Sequence, residues 1–193
     1  MKTSLLASCL LLLSVGWLSG QSSIDDSVSE RLNQYFQATE AQDWDGVIDL
    51  LYPRLFELAP KEDMRQTLAD MNGNGISLEM SGFEIKRISA PLEHEQERFA
   101  KVDYSGKMRI KFTSEAYQTP EMVGVLTDNF KASYGPDRVR YEEGTGIFHI
   151  SVDKSMYAIA QAGTTDWYFI ETEGEASMME QIIPAAVLEH TDF

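Results

Sequence analysis

Four residues in the stretch LADMNGNGISLEM have types and spacing suited to ion chemistry. Asp70, Asn72, Asn74 and Gly75 stand where an EF-hand calcium loop would open. Such a loop needs an apolar residue at its eighth position, a bidentate glutamate at its twelfth, and a helix afterwards. Counted from Asp70, those positions hold Ser77 and Ser81, Glu79 falls two places early, and the following residues alternate as a strand. The stretch therefore reads as a helix stop, because Asn and Gly tolerate the left-handed backbone that ends helices. The three histidines, His94, His149 and His190, lack any zinc spacing. No metal and no cofactor is expected.

Other common chemistries lack their residues. There is no G-x-S-x-G elbow, phosphate loop or dinucleotide fingerprint. The single cysteine, Cys9, lies in the opening MKTSLLASCLLLLSVGWLSGQSS, where Lys2 precedes an apolar run from Leu5 to Leu18. That is the anatomy of a secretory signal, and it places residues 1–22 as a leader and residues 23–193 as one exported domain. Leu6-Ala7-Ser8-Cys9 has the form of a lipobox, but cleavage before Cys9 would leave Leu10 to Leu18 exposed on the product. Cleavage between Gly20 and Ser23 is the reading, without lipid anchoring. It removes Cys9, so the mature chain has neither disulfide nor thiolate chemistry. No other stretch approaches the ~20 apolar residues of a membrane span. The net charge of −15 grows by one when Lys2 is lost, which opposes binding to nucleic acid or anionic lipid.

Elements able to position chemistry follow from periodicity. Val28, Leu32, Tyr35, Phe36 and Thr39 share one helical face, and QDWDGVIDLLYP adds a second helix with Asp43 as N-cap and Val47, Leu50 and Leu51 inward. A third helix, APKEDMRQTLADM, puts Met64, Leu68 and Met71 on one side. Beyond Gly75 the period becomes two. Ile76, Leu78 and Met80 alternate, Gly82 marks a bulge, and Phe83 and Ile85 resume. In AKVDYSGKMRIKF, Ala100, Val102, Tyr104, Met108, Ile110 and Phe112 face opposite to Lys101, Asp103, Lys107, Arg109 and Lys111. A helix follows Thr119-Pro120, with Met122, Val125, Leu126 and Phe130 inward. Then come strands DRVRYEE and GIFHISV, a hairpin of SMYAIAQ and DWYFIET, and a last helix that Pro184 restarts. The order predicts an α+β fold: an N-terminal helical hairpin and a third helix on a curved antiparallel sheet, with an inserted and a C-terminal helix.

Tyr35 and the phrase ATEAQDWDGVIDLL resemble the opening helices of the NTF2-like superfamily, cone-shaped α+β proteins that include ketosteroid-isomerase-like and polyketide-cyclase-type enzymes. LYPRLFELAPKEDM, MYAIAQ with WYFIE, and IIPAAVLE are similar to a group of uncharacterised secreted bacterial proteins. The superfamily resemblance implies that Tyr35 donates to a developing enolate oxygen and that an aspartate just before a proline moves the proton. In ungapped register that base falls on Ala59, before Pro60, and a methyl group takes no proton.

Three readings of function follow. The first is an exported, non-catalytic domain binding a small apolar ligand or a protein partner, with Tyr35, Trp44, Tyr52, Phe56 and Trp167 as candidates for lining the cone; these aromatics equally suit a core. The second is an isomerase or dehydratase with Tyr35 as electrophile and Asp103 or His149 as base. The third is an assembly component docking through Lys101, Lys107, Arg109 and Lys111, a face that could also pair two copies through the sheet.

Overall fold

Residues 18–72, 75–173 and 176–191 are described by a computed structural model. Residues 1–17, which hold Cys9 and most of the expected leader, lie outside the described residues, as do Gly73 and Asn74.

The chain opens with helix α1 (Leu18–Ala41). Helix α2 (Trp44–Asp49) starts where the Asp43 carboxylate accepts from the Gly46 amide at 3.1 Å, the expected cap. A 3₁₀ turn (Pro53–Glu57) and α3 (Lys61–Asp70) complete the helical part. Strands β1 (Ile76–Ile88), β2 (Leu92–His94) and β3 (Glu97–Phe112) follow. After α4 (Pro120–Tyr134) come β4 (Val139–Glu142), β5 (Ile147–Gln161) and β6 (Tyr168–Glu171). Short helices α5 (Ala176–Ile182) and α6 (Ala185–Leu188) flank Pro184. This is the expected α+β plan: six antiparallel strands in a curved, unclosed sheet with helices packed on it, consistent with a cone of the NTF2 type.

β3 and β5 form the spine, paired from Glu97↔Gln161 to Lys111↔Ile147. β1 and β2 share the far edge of β3; β4 and β6 share the far edge of β5. GIFHISV and SMYAIAQ are therefore one strand, not two. The polar residues Asp153, Lys154 and Ser155 interrupt its apolar alternation, but its backbone bonds to β3 continue through them.

One face of the spine meets two helices. Val28, Leu32 and Phe36 of α1 cover Ala100, Val102, Tyr104, Met156 and Phe169 at one end. At the other end Val123, Leu126 and Phe130 of α4 cover Met108, Ile110, Phe148 and Ile150. Val125, expected inward on α4, is exposed, and Val123 packs instead. Behind α1, the opposite sheet face is buried too: Phe99, Tyr157, Ile159 and Ile170 pack with Tyr52, Leu55, Met179, Ile182 and Val187. Each such side chain buried contributes about 1.5–3 kcal/mol.

β1 bends at Gly82, whose φ of +63° suits a residue without a β-carbon. One extra residue enters between Ser81 and Glu84, so inward positions change from Leu78 and Met80 to Phe83 and Ile85. Phe83 then stacks on Phe36 at 4.5 Å. It lies over Gly106, where an added β-carbon would come within 3.1 Å of its ring.

The Asp70 region has structural uses throughout. Asp70 ends α3 and accepts from Gln66, the Asn72 carboxamide accepts from the Leu78 amide at 2.6 Å, and Glu79 accepts from Arg109 at 2.7 Å. Among the described residues no cluster of His, Cys, Asp or Glu is arranged to hold a metal. No helix of the described residues is long and apolar enough to cross a membrane.

Candidate functional site

The site forms where β6 meets the end of α1. Alternation on β6 gives Phe169 and Glu171 the same face, and Phe169 is fully buried beneath α1. Glu171, opposite Met156, is thereby drawn toward the interior. β6 is fixed from its other edge by the chain leaving α2: Tyr52 donates its amide to the Phe169 carbonyl, and the Phe169 amide donates to Leu50, each at 2.9 Å.

A cavity of about 140 Å³ opens beside it. Its walls come from α1 (Tyr35, Thr39), α2 (Trp44, Val47), α3 and its C-cap (Leu68, Met71) and β1 (Leu78, Met80, Phe83), with Tyr104 and Glu171 set into them. The α1–β1 wall is tied by Gln42, donating to the Leu78 carbonyl at 3.3 Å, and by Glu40, accepting from the Gly82 amide at 2.8 Å. A dry cavity of about 150 Å³ lined by aliphatic and aromatic groups suffices for benzene, so one ring is the natural scale of a ligand here.

Besides Thr39 and Gln42, which are bonded to backbone carbonyls of Tyr35 and Leu78, three ionisable groups interrupt the apolar lining. The Tyr104 hydroxyl donates a short hydrogen bond to Glu171 Oε1. Glu171 keeps 35% of its side-chain area exposed, but its Oε2 is buried and accepts no hydrogen bond. The Tyr35 hydroxyl has no hydrogen-bond partner among the described residues; its ring rests on Phe36 and Phe169.

The electrostatics follow from enclosure. Burial raises the Glu171 carboxyl above the ordinary range, and the Tyr104 hydrogen bond and Lys154 only partly offset this. Burial, then the Glu171 charge, pushes both the Tyr35 and Tyr104 phenols well above their usual value. Both tyrosines are therefore firm proton donors in hydrogen bonds, while Glu171 is a stronger base than an ordinary surface glutamate. Such a set can bind a carbonyl oxygen and exchange a proton beside it.

Of the sequence candidates, Tyr35 and Trp44 meet in this cavity. The other aromatics lie elsewhere. Tyr52 is buried against the opposite sheet face and donates to Glu97 at 3.0 Å; burial and that carboxylate push its phenol up to about 12. Phe56 has the Lys61 ammonium 4.8 Å above its ring. Trp167 is fully buried, donates to Ser27 Oγ at 2.9 Å and carries the Arg98 guanidinium 5.0 Å over its ring.

Asp103 and His149 do not face the cavity. Asp103, next to Tyr104 on β3, points to the other side, where it accepts from Arg87 at 2.8 Å and Ser155 at 2.7 Å. These bonds and nearby Lys101 outweigh burial and hold its carboxyl below the usual range, which makes it a weak base. His149 lies on the outer face, 3.3 Å from Glu142. Lys107, Arg109 and Lys111 are exposed on that same outer face, but Lys101 sits apart, half-buried opposite Tyr157. Glu79 and Glu142 interleave with the basic groups.

Glu171 is the functional candidate that sequence reasoning passed over. Its signal was its place two residues after Phe169 in DWYFIET, a carboxylate on the apolar face of a strand. Against known proteins, the chain matches no family model and no curated protein sequence, so the chemistry of the cavity is read from its own residues.

Proposed function

We propose that the protein binds a small, largely apolar molecule carrying one carbonyl-type oxygen, with the Tyr35 hydroxyl donating to that oxygen inside the cavity. The observation that carries this reading is the Tyr35 hydroxyl, set in the cavity wall beside the Tyr104–Glu171 pair with no acceptor among the described residues. A donor that opens on a cavity and serves no protein acceptor is available to a ligand oxygen, a bond that contributes about 0.5–1.5 kcal/mol net. Trp44 in the wall is the reporter: titration with small aromatic ketones should change its emission, and Leu78→Trp, which fills the cavity, should abolish the change. Silence across such ketones would remove the proposal.

Glu171 favours a second reading, an isomerase- or dehydratase-type reaction. A carboxyl of raised basicity beside a polarised carbonyl can take a proton from the adjacent carbon and return it elsewhere. The absence of an acid at Ala59 does not argue against it, because the carboxyl comes from β6. Deuterium exchange into the carbon next to the carbonyl of a bound ketone, lost in Glu171→Gln, is its test.

Export of residues 23–193 after removal of residues 1–22 belongs to the same proposal; the apolar run from Leu5 to Leu18 supports it. Docking of a second copy or another protein on the outer sheet face rests on Lys107, Arg109 and Lys111. Light scattering at low and high salt tests it.

A further inference from the structure

Tyr104 lines two separate openings. One is the apolar cavity; the other is an open, polar groove of about 390 Å³ formed by Lys86, Asp103, Asp153, Lys154, Ser155 and Glu173. Glu171 lines the cavity and is linked to the groove through Lys154. Its carboxyl is hydrogen-bonded to Tyr104, and the Lys154 ammonium of the groove lies 3.9 Å from its Oε2 and 3.2 Å from Glu173 Oε2. Lys154 is thus within a short side-chain movement of either carboxylate, and closer to the solvent-exposed one.

We infer that Lys154 is a positioning residue for Glu171: its ammonium moves from Glu173 to the bare Glu171 Oε2 when Glu171 loses its proton, and returns when Glu171 regains it. This rests on the reading of the cavity as a ligand site and assigns it a second side. The O–H bond of the Glu171 carboxyl breaks, the proton passes to water in the groove, and the ammonium follows the charge. Ligand and proton then arrive through separate openings, and water need not cross the apolar cavity.

Neighbouring groups fit this division. Tyr35 from α1 and Tyr104 from β3 face Glu171 as neutral phenols, and Tyr134 at the end of α4 acts on Lys154. In the groove, Asp103 is engaged by Arg87 and Ser155, Asp153 by Arg138 at 2.6 Å, and Lys86 by Glu84 at 2.5 Å. Glu173 has Lys154 as its ion-pair partner among the described residues. Although burial opposes charge on Lys154, the two glutamates outweigh it and keep the ammonium protonated.

The experiment is a carbon-13 NMR titration of the Glu171 carboxyl in the full chain and in Lys154→Met, Lys154→Arg and Glu173→Gln variants. Loss of the cation in Lys154→Met should weaken the acid about tenfold, and Lys154→Arg should restore it. Glu173→Gln should strengthen the acid by releasing Lys154 toward it. A Glu171 titration that is the same in all four proteins overturns the inference, as does a Lys154→Arg curve matching Lys154→Met. A separate titration of wild type with acetophenone distinguishes the two claims: binding with an unmoved Glu171 titration leaves the cavity reading standing alone. A coupled titration without acetophenone binding removes the cavity reading and with it the ligand side of the inference.

Discussion

Removing one hydroxyl from each cavity tyrosine should have unequal consequences for stability. Tyr35→Phe and Tyr104→Phe both keep the ring, so the contacts of Tyr35 with Phe169 at 5.8 Å and of Tyr104 with Phe36 at 5.2 Å persist and no void forms. The Tyr35 hydroxyl opens on the cavity and has no acceptor among the described residues, so its loss breaks no protein hydrogen bond and should leave stability within about 0.5 kcal/mol of wild type. The Tyr104 hydroxyl serves Glu171 Oε1, and its loss leaves both carboxyl oxygens without a hydrogen bond. Hydrogen bonds to charged groups contribute about 1.5–3 kcal/mol. With 35% of the Glu171 side chain in solvent, the lower part of that range applies, about 1.5–2 kcal/mol. For a domain of this size each kcal/mol moves the midpoint by about 2–4 °C, so Tyr104→Phe should melt about 3–8 °C below wild type. Circular dichroism melts at neutral pH read both values. If Tyr35→Phe loses as much as Tyr104→Phe, Tyr35 is a structural residue and the reasoning fails.

Other consequences can be checked with the same melts. Burial raises the Glu171 carboxyl in the folded state, so the folded protein holds this proton more tightly than the unfolded chain. Stability should therefore fall as pH rises from the ordinary glutamate range through the folded value, and Glu171→Gln should remove that decline; an identical pH dependence in both proteins contradicts the assignment. Gly106→Ala sets a β-carbon 3.1 Å from the Phe83 ring and must disturb its stack on Phe36, which should cost about 1–3 kcal/mol in urea unfolding. Asp43→Ala removes the cap of α2 and should cost about 1 kcal/mol. Millimolar calcium should leave the wild-type midpoint unchanged, because Asp70, Asn72 and Glu79 already serve Gln66, Leu78 and Arg109.

The parts of the fold that the sequence disclosed are those governed by local pattern. The stripe of Val28, Leu32, Phe36 and Thr39 announces α1 because a helix repeats its face every three to four residues. Thr119 and Pro120 announce α4 because one caps, accepting from the Met122 amide at 3.3 Å, and the other lacks a donor to lose. Continuity of β5 through Asp153, Lys154 and Ser155 was not legible, since it depends on backbone pairing with β3 that no side-chain pattern records. The site divided similarly. Tyr35 and Trp44 could be named from their places on α1 and α2, but Glu171 required knowing which face of β6 is covered, and that is decided by α1. Asp103 and Tyr104 are adjacent, so one of them had to face away; the apolar neighbours Val102 and Ala100 pointed to Asp103.

The central claim is that the cavity recognises a carbonyl through Tyr35. Calorimetric titration of wild type and Tyr35→Phe with acetophenone and with ethylbenzene, its near-isosteric hydrocarbon, tests it most directly. Wild type should prefer the ketone by about tenfold or more, and Tyr35→Phe should lose the preference while still binding the hydrocarbon. Equal affinity of wild type for ketone and hydrocarbon, or a ketone preference that survives in Tyr35→Phe, would contradict it.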